Sequence, residues 1–150
     1  MQKHKIRICF IITNLNQGGA EKQFYNLISG INKNIFEVHF VLYAKQNESF
    51  YDLKKLDGVI IHENKLKSKF YLFKIIGALN FIKKTISHYD YNILVSTLFM
   101  NNLFTRLVAP SRYDDKIFTL MRTSIQNYPF YYIFFEKFLI KNSYIIFNSN

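Results

Sequence analysis

The chain has no tryptophan, one cysteine, two prolines and five glycines among its 150 residues. So little glycine and proline excludes a collagen-like chain, and a single cysteine excludes an internal disulfide framework. Cys9 lies within an apolar run, where we expect a buried small hydrophobic side chain rather than a nucleophile. Because 49% of the residues are apolar and 20% are charged, long disordered segments are not expected.

The sequence also lacks a long hydrophobic run. No segment offers the roughly 20 uninterrupted apolar residues that a membrane-spanning helix needs. The basic start at residues 1–5 leads into a short apolar run without a small-residue cleavage pattern, unlike a secretory signal peptide. A cytoplasmic location is therefore expected.

Acidic residues are scarce relative to basic ones. Twenty Lys and Arg oppose ten Asp and Glu, which gives a net charge of +10 and an isoelectric point near 9.6. This excess favours an anionic partner, which could be a nucleic acid, a phosphate-bearing ligand or an acidic membrane surface. Nucleic acid is not the expected partner, because many lysines lie in one predicted helix and no recognition motif accompanies them.

Patterns typical of strands and helices alternate along the chain. Strands are predicted at residues 6–12, 36–42, 58–62, 92–96, 116–121 and 144–147. Helices are predicted at residues 20–31, 69–89, 101–109 and 129–141, with a short helical piece near 51–56. This alternation predicts an α/β fold, a Rossmann-like, doubly wound and largely parallel sheet within one domain of residues 1–150. Ligands of such sheets bind beyond the carboxyl ends of the strands.

The strongest local feature is the turn that holds Gly18 and Gly19, between the first strand and the first helix. Two glycines permit a tight turn, and the free N–H groups at the helix start form a site for a phosphate or a carboxylate. The other interpretation is a tight connection without a ligand. The G-x-G-x-x-G and GK[ST] patterns are absent, so the turn is neither a dinucleotide fingerprint nor a Walker loop.

The glycine turn belongs to a longer series of motifs. A strand leads through a polar loop to Gly18-Gly19-Ala20-Glu21, and the second strand opens with Phe36-Glu37-Val38. In this order the residues resemble the opening of family 4 glycosyltransferases. Residues 92–98 resemble the fourth strand of that family, and residues 147–149 resemble the end of its amino-terminal domain. The resemblance implies the GT-B architecture, in which two Rossmann-like domains face each other across the active-site cleft.

The resemblance implies a function for this chain. Residues 1–150 would be the acceptor-side domain, and the carboxy-terminal domain that holds the nucleotide-sugar is absent from the sequence. The reaction would transfer a sugar with retention to a lipid-linked or cell-surface glycan acceptor, with no bound metal and no other cofactor. One wall of a cleft cannot position both substrates, so we expect the chain alone to be inactive. The alternative is a non-catalytic Rossmann-like module that binds a membrane or a partner protein.

Candidate substrate-binding residues follow from the same resemblance: Asn16, Gly18, Gly19, Thr97 and Arg122. Thr97 stands where relatives often carry a histidine, and Arg122 resembles the arginine of a subgroup with a Ser-Glu-Arg motif. Arg122 suits bidentate phosphate binding, and the alternative is a solvated or ion-paired side chain. Glu21 is expected to cap the helix start rather than contact a ligand. The four histidines have no metal-ligand spacing, so no metal site is predicted.

A second functional pattern combines basic and aromatic residues in the helix predicted at residues 69–89. One face is an apolar stripe that we assign to the core: Leu72, Ile75, Ile76, Leu79, Ile82 and Ile86. The residues predicted to contact an anionic membrane are Lys67, Lys69, Phe70, Phe73, Lys74, Phe81 and Lys84. The alternative is a solvated lysine face whose phenylalanines cover neighbouring loops. With the membrane interpretation, the protein is expected to bind peripherally at the inner face of the cell membrane.

Overall fold

The computed structural model describes residues 4–16, 18–44, 51, 55–65, 69–121, 130, 134–135, 137 and 143–147. Its strands are β1 (Ile6–Ile12), β2 (Phe36–Leu42), β3 (Val59–Glu63), β4 (Ile93–Thr97), β5 (Ile117–Met121) and β6 (Tyr144–Phe147). Within these residues the strands form one sheet in the order β3-β2-β1-β4-β5-β6, and every pairing is parallel. The predicted α/β fold is confirmed, and this strand order is that of a doubly wound Rossmann-like sheet.

Helices connect the strands on both sides of the sheet. They are α1 (Gly19–Gly30), α2 (Tyr71–His88) and α3 (Phe99–Val108), and a short 3₁₀ helix covers Ser111–Tyr113. Helix α3 begins two residues earlier than predicted, because the Asn102 N–H donates to the Leu98 carbonyl at 3.0 Å and closes the first turn there. Most of the helix predicted at residues 129–141 and part of the piece near 51–56 lie outside the described residues.

The central strands are apolar because both faces of the sheet are covered. Side chains alternate across a strand, so Ile8, Phe10 and Ile12 of β1 point to the opposite face from Cys9 and Ile11. The first three pack with α1, and the other two belong to the cluster that includes α2 and α3. Strands buried on two sides have nearly continuous apolar runs, which is the pattern that identified them in the sequence.

Large side chains fill the core on each face. Phe24 and Ile28 of α1 are fully buried, and the Phe24 ring meets Phe10 edge to face with centroids 5.5 Å apart. On the opposite face the Tyr113 hydroxyl accepts a hydrogen bond from the Tyr91 N–H at 3.2 Å, which ties the 3₁₀ helix to the segment before β4. Cys9 is buried as predicted, and its burial raises the pKa of its thiol well above the usual range.

The buried face of α2 differs from the predicted stripe. Ile82 and Ile86 are buried as expected, whereas Leu72 and Ile76 are exposed. Phe81 was predicted to face a membrane, and that prediction is wrong because Phe81 is partly buried and packs against the core. The buried residues of α2 are Ala78, Ile82, Thr85 and Ile86, and Ile75, Leu79 and Phe81 are partly buried against the core. The predicted stripe therefore faces the core from Ile75 onward, except at Ile76, and the first turn of the helix does not.

Candidate functional site

The candidate site lies where the order of the strands reverses. The chain adds β2 and β3 on one side of β1, and β4, β5 and β6 on the other. In open α/β sheets, ligands bind in the crevice outside the carboxyl ends of the two strands at this switch point. Here these strands are β1 and β4. Thr13 and Asn14 follow β1, and Leu98 follows β4, so these residues line the start of the crevice.

The glycine turn brings the start of α1 to this edge of the sheet. Gly18 is the residue before the first helical turn, and its carbonyl accepts hydrogen bonds from the Lys22 N–H at 3.0 Å and the Tyr51 hydroxyl at 3.2 Å. Gly19 is exposed to solvent. A helix start of this kind carries backbone N–H groups and partial positive charge, which suit a phosphate or a carboxylate.

Glu21 folds back over the start of α1. A methyl group added at Gly18 would collide with the Glu21 carboxylate, and its carbon would lie 2.9 Å from Glu21 Cδ. The carboxylate thus occupies the space that a side chain would need at position 18. An acid in the first turn of a helix interacts favourably with the helix dipole, and a capping role for Glu21 stays a prediction. Glycine at position 18 leaves room for this carboxylate.

Asn101 connects three strands below the crevice. Its side-chain oxygen accepts hydrogen bonds from the Thr13 hydroxyl at 2.8 Å and from the Tyr43 hydroxyl, and its NH₂ group donates to the Thr97 carbonyl. Thr13 follows β1, Tyr43 follows β2 and Thr97 ends β4. The fully buried side chain of Asn101 therefore joins the carboxyl ends of these three strands. Burial raises the pKa of Tyr43 to about 12, and its hydroxyl therefore stays protonated as a donor.

The turn between β4 and α3 has an uncommon backbone. Leu98 has a φ of 69°, in the left-handed region that a residue with a branched side chain rarely adopts. With a ψ of 146° the residue lies in a sparsely populated region, which costs of order 1–3 kcal/mol. Such strain is found preferentially at functional sites, and here it lies at the switch point.

Helix α3 presents buried polar groups to the sheet. The Ser96 hydroxyl donates to the Asn102 side-chain oxygen at 2.7 Å, and the Arg106 guanidinium donates to the Thr119 hydroxyl at 2.8 Å. The Thr119 hydroxyl in turn donates to the Tyr144 carbonyl at 3.2 Å. Arg106 and Thr119 are both buried, so this polar layer links β4, β5 and β6 below the same edge of the sheet.

A separate titratable cluster lies on the α2 side of the sheet, around His39. The His39 ring is fully buried, with Nδ1 at 2.9 Å from His62 Nε2 and 3.1 Å from the Tyr91 hydroxyl. Its Nε2 lies 3.0 Å from Glu37 Oε1, which also accepts a hydrogen bond from Arg7 Nε at 2.9 Å. Among the described residues, no three His, Cys, Asp or Glu side chains are arranged to hold a metal ion.

The pKa values in this cluster shift for identifiable reasons. The hydrogen bond from His39 is the main cause that lowers the pKa of Glu37, so this carboxylate is held ionised. Burial, together with the nearby His39 and His88, lowers the pKa of His62 to about 4. His62 is consequently neutral near neutral pH. The cluster joins β2 and β3 to the residues that follow α2, and it lies on the opposite face of the sheet from α1.

The structure brings some of the predicted substrate-binding residues together. Asn16, Gly18 and Gly19 lie in the same loop after β1, and the Asn16 N–H donates to the Asn14 side-chain oxygen at 3.3 Å. Thr97 ends β4 at the same sheet edge, but it is only 1% exposed and its hydroxyl donates to the Leu120 carbonyl. Its side chain is therefore not presented to a ligand in this structure. Arg122 lies outside the described residues.

Of the predicted membrane-contact residues, some are exposed in the structure and one lies outside the described residues. Lys69, Phe70, Phe73, Lys74 and Lys84 are exposed, and Lys67 lies outside the described residues. In the part of the chain that the structure describes, no helix has both the length and the apolarity needed to cross a bilayer.

The polar residues that support the crevice are not apparent from the sequence pattern. Asn101, Tyr43 and Thr13 meet only because three strands far apart in sequence become neighbours. One available signal was the pair Asn101-Asn102 beside the apolar residues that open α3, since amides in a buried turn need partners. A comparison with protein-family models and with curated proteins gave no match to this sequence.

Proposed function

We propose that residues 1–150 form the acceptor-side domain of a retaining glycosyltransferase, which transfers a sugar from a nucleotide-sugar to a lipid-linked or cell-surface glycan. One observation carries the proposal: a Gly-Gly helix start lies at the switch point of a parallel sheet with the order β3-β2-β1-β4-β5-β6. The motif series Gly18-Gly19-Ala20-Glu21 and Phe36-Glu37-Val38, which resembles family 4 glycosyltransferases, supports the assignment of this edge to sugar transfer.

The start of α1 is proposed to bind an anionic group of a substrate and not to take part in catalysis. Backbone N–H groups and the helix dipole attract an anionic group of the acceptor or the donor, and Gly19 leaves the approach unhindered by a side chain. Glu21 carries a negative charge beside this position, so an incoming phosphate would have to displace its carboxylate or bind next to it. An anionic ligand would therefore have to reach the N–H groups of Gly19 and Ala20 beside this carboxylate.

Turnover requires more than this domain provides. Sugar transfer needs both substrates held together and the departing nucleotide phosphates stabilised. In the proposed arrangement a second domain binds the nucleotide-sugar and performs these tasks. The domain of residues 1–150 is therefore proposed to bind the acceptor without transferring sugar by itself.

The proposal is tested by nuclear magnetic resonance on the ¹⁵N-labelled chain. A short-chain prenyl pyrophosphate and a panel of nucleotide-sugars are titrated separately, and sugar transfer is assayed with both present. We expect chemical shift changes centred on the amides of Asn16, Gly18 and Gly19, with no transfer. Shift changes confined to exposed lysines, or clear transfer by this chain, would contradict the proposal.

A matched pair of glycine variants isolates the turn. Gly18→Ala puts a methyl group into the space above the start of α1, where the Glu21 carboxylate now lies and where a phosphate would bind, whereas Gly30→Ala at the other end of the helix meets open space. We expect Gly18→Ala to weaken binding of the pyrophosphate about tenfold, or about 1.4 kcal/mol. Gly30→Ala should leave the affinity unchanged. Equal losses in the two variants would show that the turn does not hold the ligand.

A second candidate function is a non-catalytic module that binds a membrane or a partner protein. The observation that favours it is the exposure of large apolar residues at the start of α2. Under either candidate we propose a peripheral location at the inner face of the cell membrane. Titrations that perturb α2 with vesicles but leave the glycine turn unperturbed by every phosphate ligand would favour the second candidate.

A further inference from the structure

The first part of α2 exposes an unusual run of apolar side chains. We define the α2 tip as residues 69–76. Four consecutive residues are largely exposed: Phe70 at 70%, Tyr71 at 74%, Leu72 at 65% and Phe73 at 58%. Ile76, one turn later, is 45% exposed. Isolated exposed apolar residues are normal on a protein surface, but a contiguous group of this kind marks a surface that contacts a partner or a membrane.

Positive charge surrounds this apolar group. Lys69 and Lys74 flank the four residues and are exposed, and Lys65 is exposed shortly before them. The sequence contains no acidic residue between Glu63 and Asp90. Aromatic and aliphatic side chains bordered by lysines without acids suit the interface of a bilayer that carries anionic lipid. A protein partner would need an acidic rim around an apolar pocket to match the same surface.

The position of the tip follows from the direction of the strands. Helix α2 is the helix that follows β3, so it begins near the carboxyl end of that strand, at the same sheet edge as the glycine turn. The side-chain NH₂ of Asn64, just after β3, donates to the Tyr43 carbonyl at 2.9 Å and holds this segment to the end of β2. The buried residues of α2 begin at Ala78, and Ile75 is the tip residue that packs against the core, so the other side chains of the tip face outward.

The lysines at the other end of α2 lie farther along the helix, away from the tip. Lys84 follows Lys74 by ten residues, which corresponds to about 15 Å along a helix. At physiological ionic strength, charges on a protein surface are largely screened from one another beyond about 8–10 Å, and this separation is larger. Lys83 and Lys84 are exposed but lie beside the buried part of the helix, between Ile82 and Thr85. They provide an internal comparison of equal charge.

We propose that the α2 tip is an interfacial anchor, which inserts Phe70 and Phe73 among the headgroups of a bilayer while Lys69 and Lys74 contact anionic lipid phosphates. The two phenylalanine rings already lie together edge to face, with centroids 6.0 Å apart. This inference develops the membrane contact of the second candidate function by naming the segment and its orientation. It does not depend on sugar transfer, because it stands on the exposure and charge of the tip.

The absence of tryptophan makes a direct test possible. The variant Phe73→Trp places a single fluorescent reporter in the tip of the full chain. It is mixed with vesicles of phosphatidylcholine alone or of an equimolar mixture with phosphatidylglycerol. We expect a blue shift of the emission and quenching by lipids brominated on the acyl chain with anionic vesicles. Added salt should weaken both effects.

Two charge variants in this background locate the contact. Lys69→Gln combined with Lys74→Gln should weaken partitioning into anionic vesicles roughly tenfold or more. Lys83→Gln combined with Lys84→Gln removes the same charge and should have little effect. All four side chains are exposed and each variant removes two positive charges, so the two variants should have similar thermal unfolding midpoints.

Three outcomes would overturn the anchor. The first is equal binding to neutral and anionic vesicles, or no binding. The second is an equal loss from the two charge variants, which would show a non-specific attraction of the whole chain. The third is a blue shift that depends on protein concentration without vesicles, which would show that the tip contacts a second copy of the chain. None of these outcomes depends on the glycine-turn titration, so this proposal and the sugar-transfer proposal fail separately.

Discussion

At the scale of single residues, His39 illustrates how burial constrains a titratable ring. Glu37 is held ionised and accepts from Nε2, so His39 must carry a proton on that nitrogen. In the neutral ring, Nδ1 is then an acceptor for the His62 Nε2–H or the Tyr91 hydroxyl. The hydrogen-bond partners thus select one tautomer of a histidine that has no contact with solvent.

We expect His62 to make the fold sensitive to mild acid. Its pKa is about 4 in the folded chain and near 6.5 when unfolded, so only the unfolded chain takes up the proton between these values. Stability is therefore full above about pH 6.5 and falls as the pH decreases toward about 4. After allowance for solvent screening of this half-buried ring, the loss is about 1–2 kcal/mol. Urea denaturation across this pH range measures it.

The variant His62→Gln removes the titration and should flatten the pH dependence between about pH 6.5 and about pH 4.5. His4→Gln changes an exposed histidine near the start of the chain and serves as the control. Parallel stability curves for His62→Gln and the unmodified protein would show that this ring does not determine the acid sensitivity.

At the scale of secondary structure elements, the first turn of α3 joins the ends of three strands through hydrogen bonds. Asn101 bonds to residues at the ends of β1, β2 and β4, and it is fully buried. A buried hydrogen-bonding group that loses its partner costs about 1–3 kcal/mol. The contribution of Asn101 therefore exceeds that of a single contact, because its removal leaves several polar groups unpaired.

Asn101→Ala is expected to reduce the free energy of unfolding by about 2–4 kcal/mol. Asn80→Ala is the matched control, since Asn80 is an exposed asparagine in the middle of α2. That substitution should change stability by less than about 0.5 kcal/mol. Chemical denaturation of both variants measures the difference, and equal effects would refute a fastening role for Asn101.

The sequence predicted the elements better than it predicted the contacts between them. β1, β2 and β6 have the predicted bounds, and β3 and β4 each lie one residue later. These strands were visible because burial on two faces demands an apolar run, which is a local property. The amide of Asn101 was not visible, since its partners depend on which strands become neighbours. The position of the glycine turn was predictable from the local change from an apolar run to a helical pattern, although Gly18 is extended with a φ of −167° and Gly19 is helical.

At the scale of the whole molecule, the net charge of +10 opposes compaction. In the described ranges, ion pairs with acidic side chains join Glu37 to Arg7 and His39. Of the lysines that the structure describes, all but Lys33 are exposed to water. Repulsion among like charges destabilises the folded state and is weakened by salt.

Stability should therefore rise with ionic strength. Between about 10 mM and about 300 mM sodium chloride we expect a gain of roughly 1 kcal/mol in the free energy of unfolding. Thermal or urea denaturation at several salt concentrations provides the measurement. The double variant Lys83→Gln and Lys84→Gln should show a smaller gain. A free energy of unfolding that is constant or falls with salt would mean that repulsion among the basic residues does little to destabilise the fold.

The position of β1 in the middle of the sheet affects how the chain folds during its synthesis. Arg7 and Asn92, which are 85 residues apart, hydrogen bond where β1 meets β4. During synthesis β1 leaves the ribosome among the first segments, yet its second neighbour emerges only after more than half of the chain. Until then a strongly apolar strand has an unsatisfied edge, which is the state that chaperones bind. A nascent chain stalled before residue 93 is therefore the form most prone to aggregate.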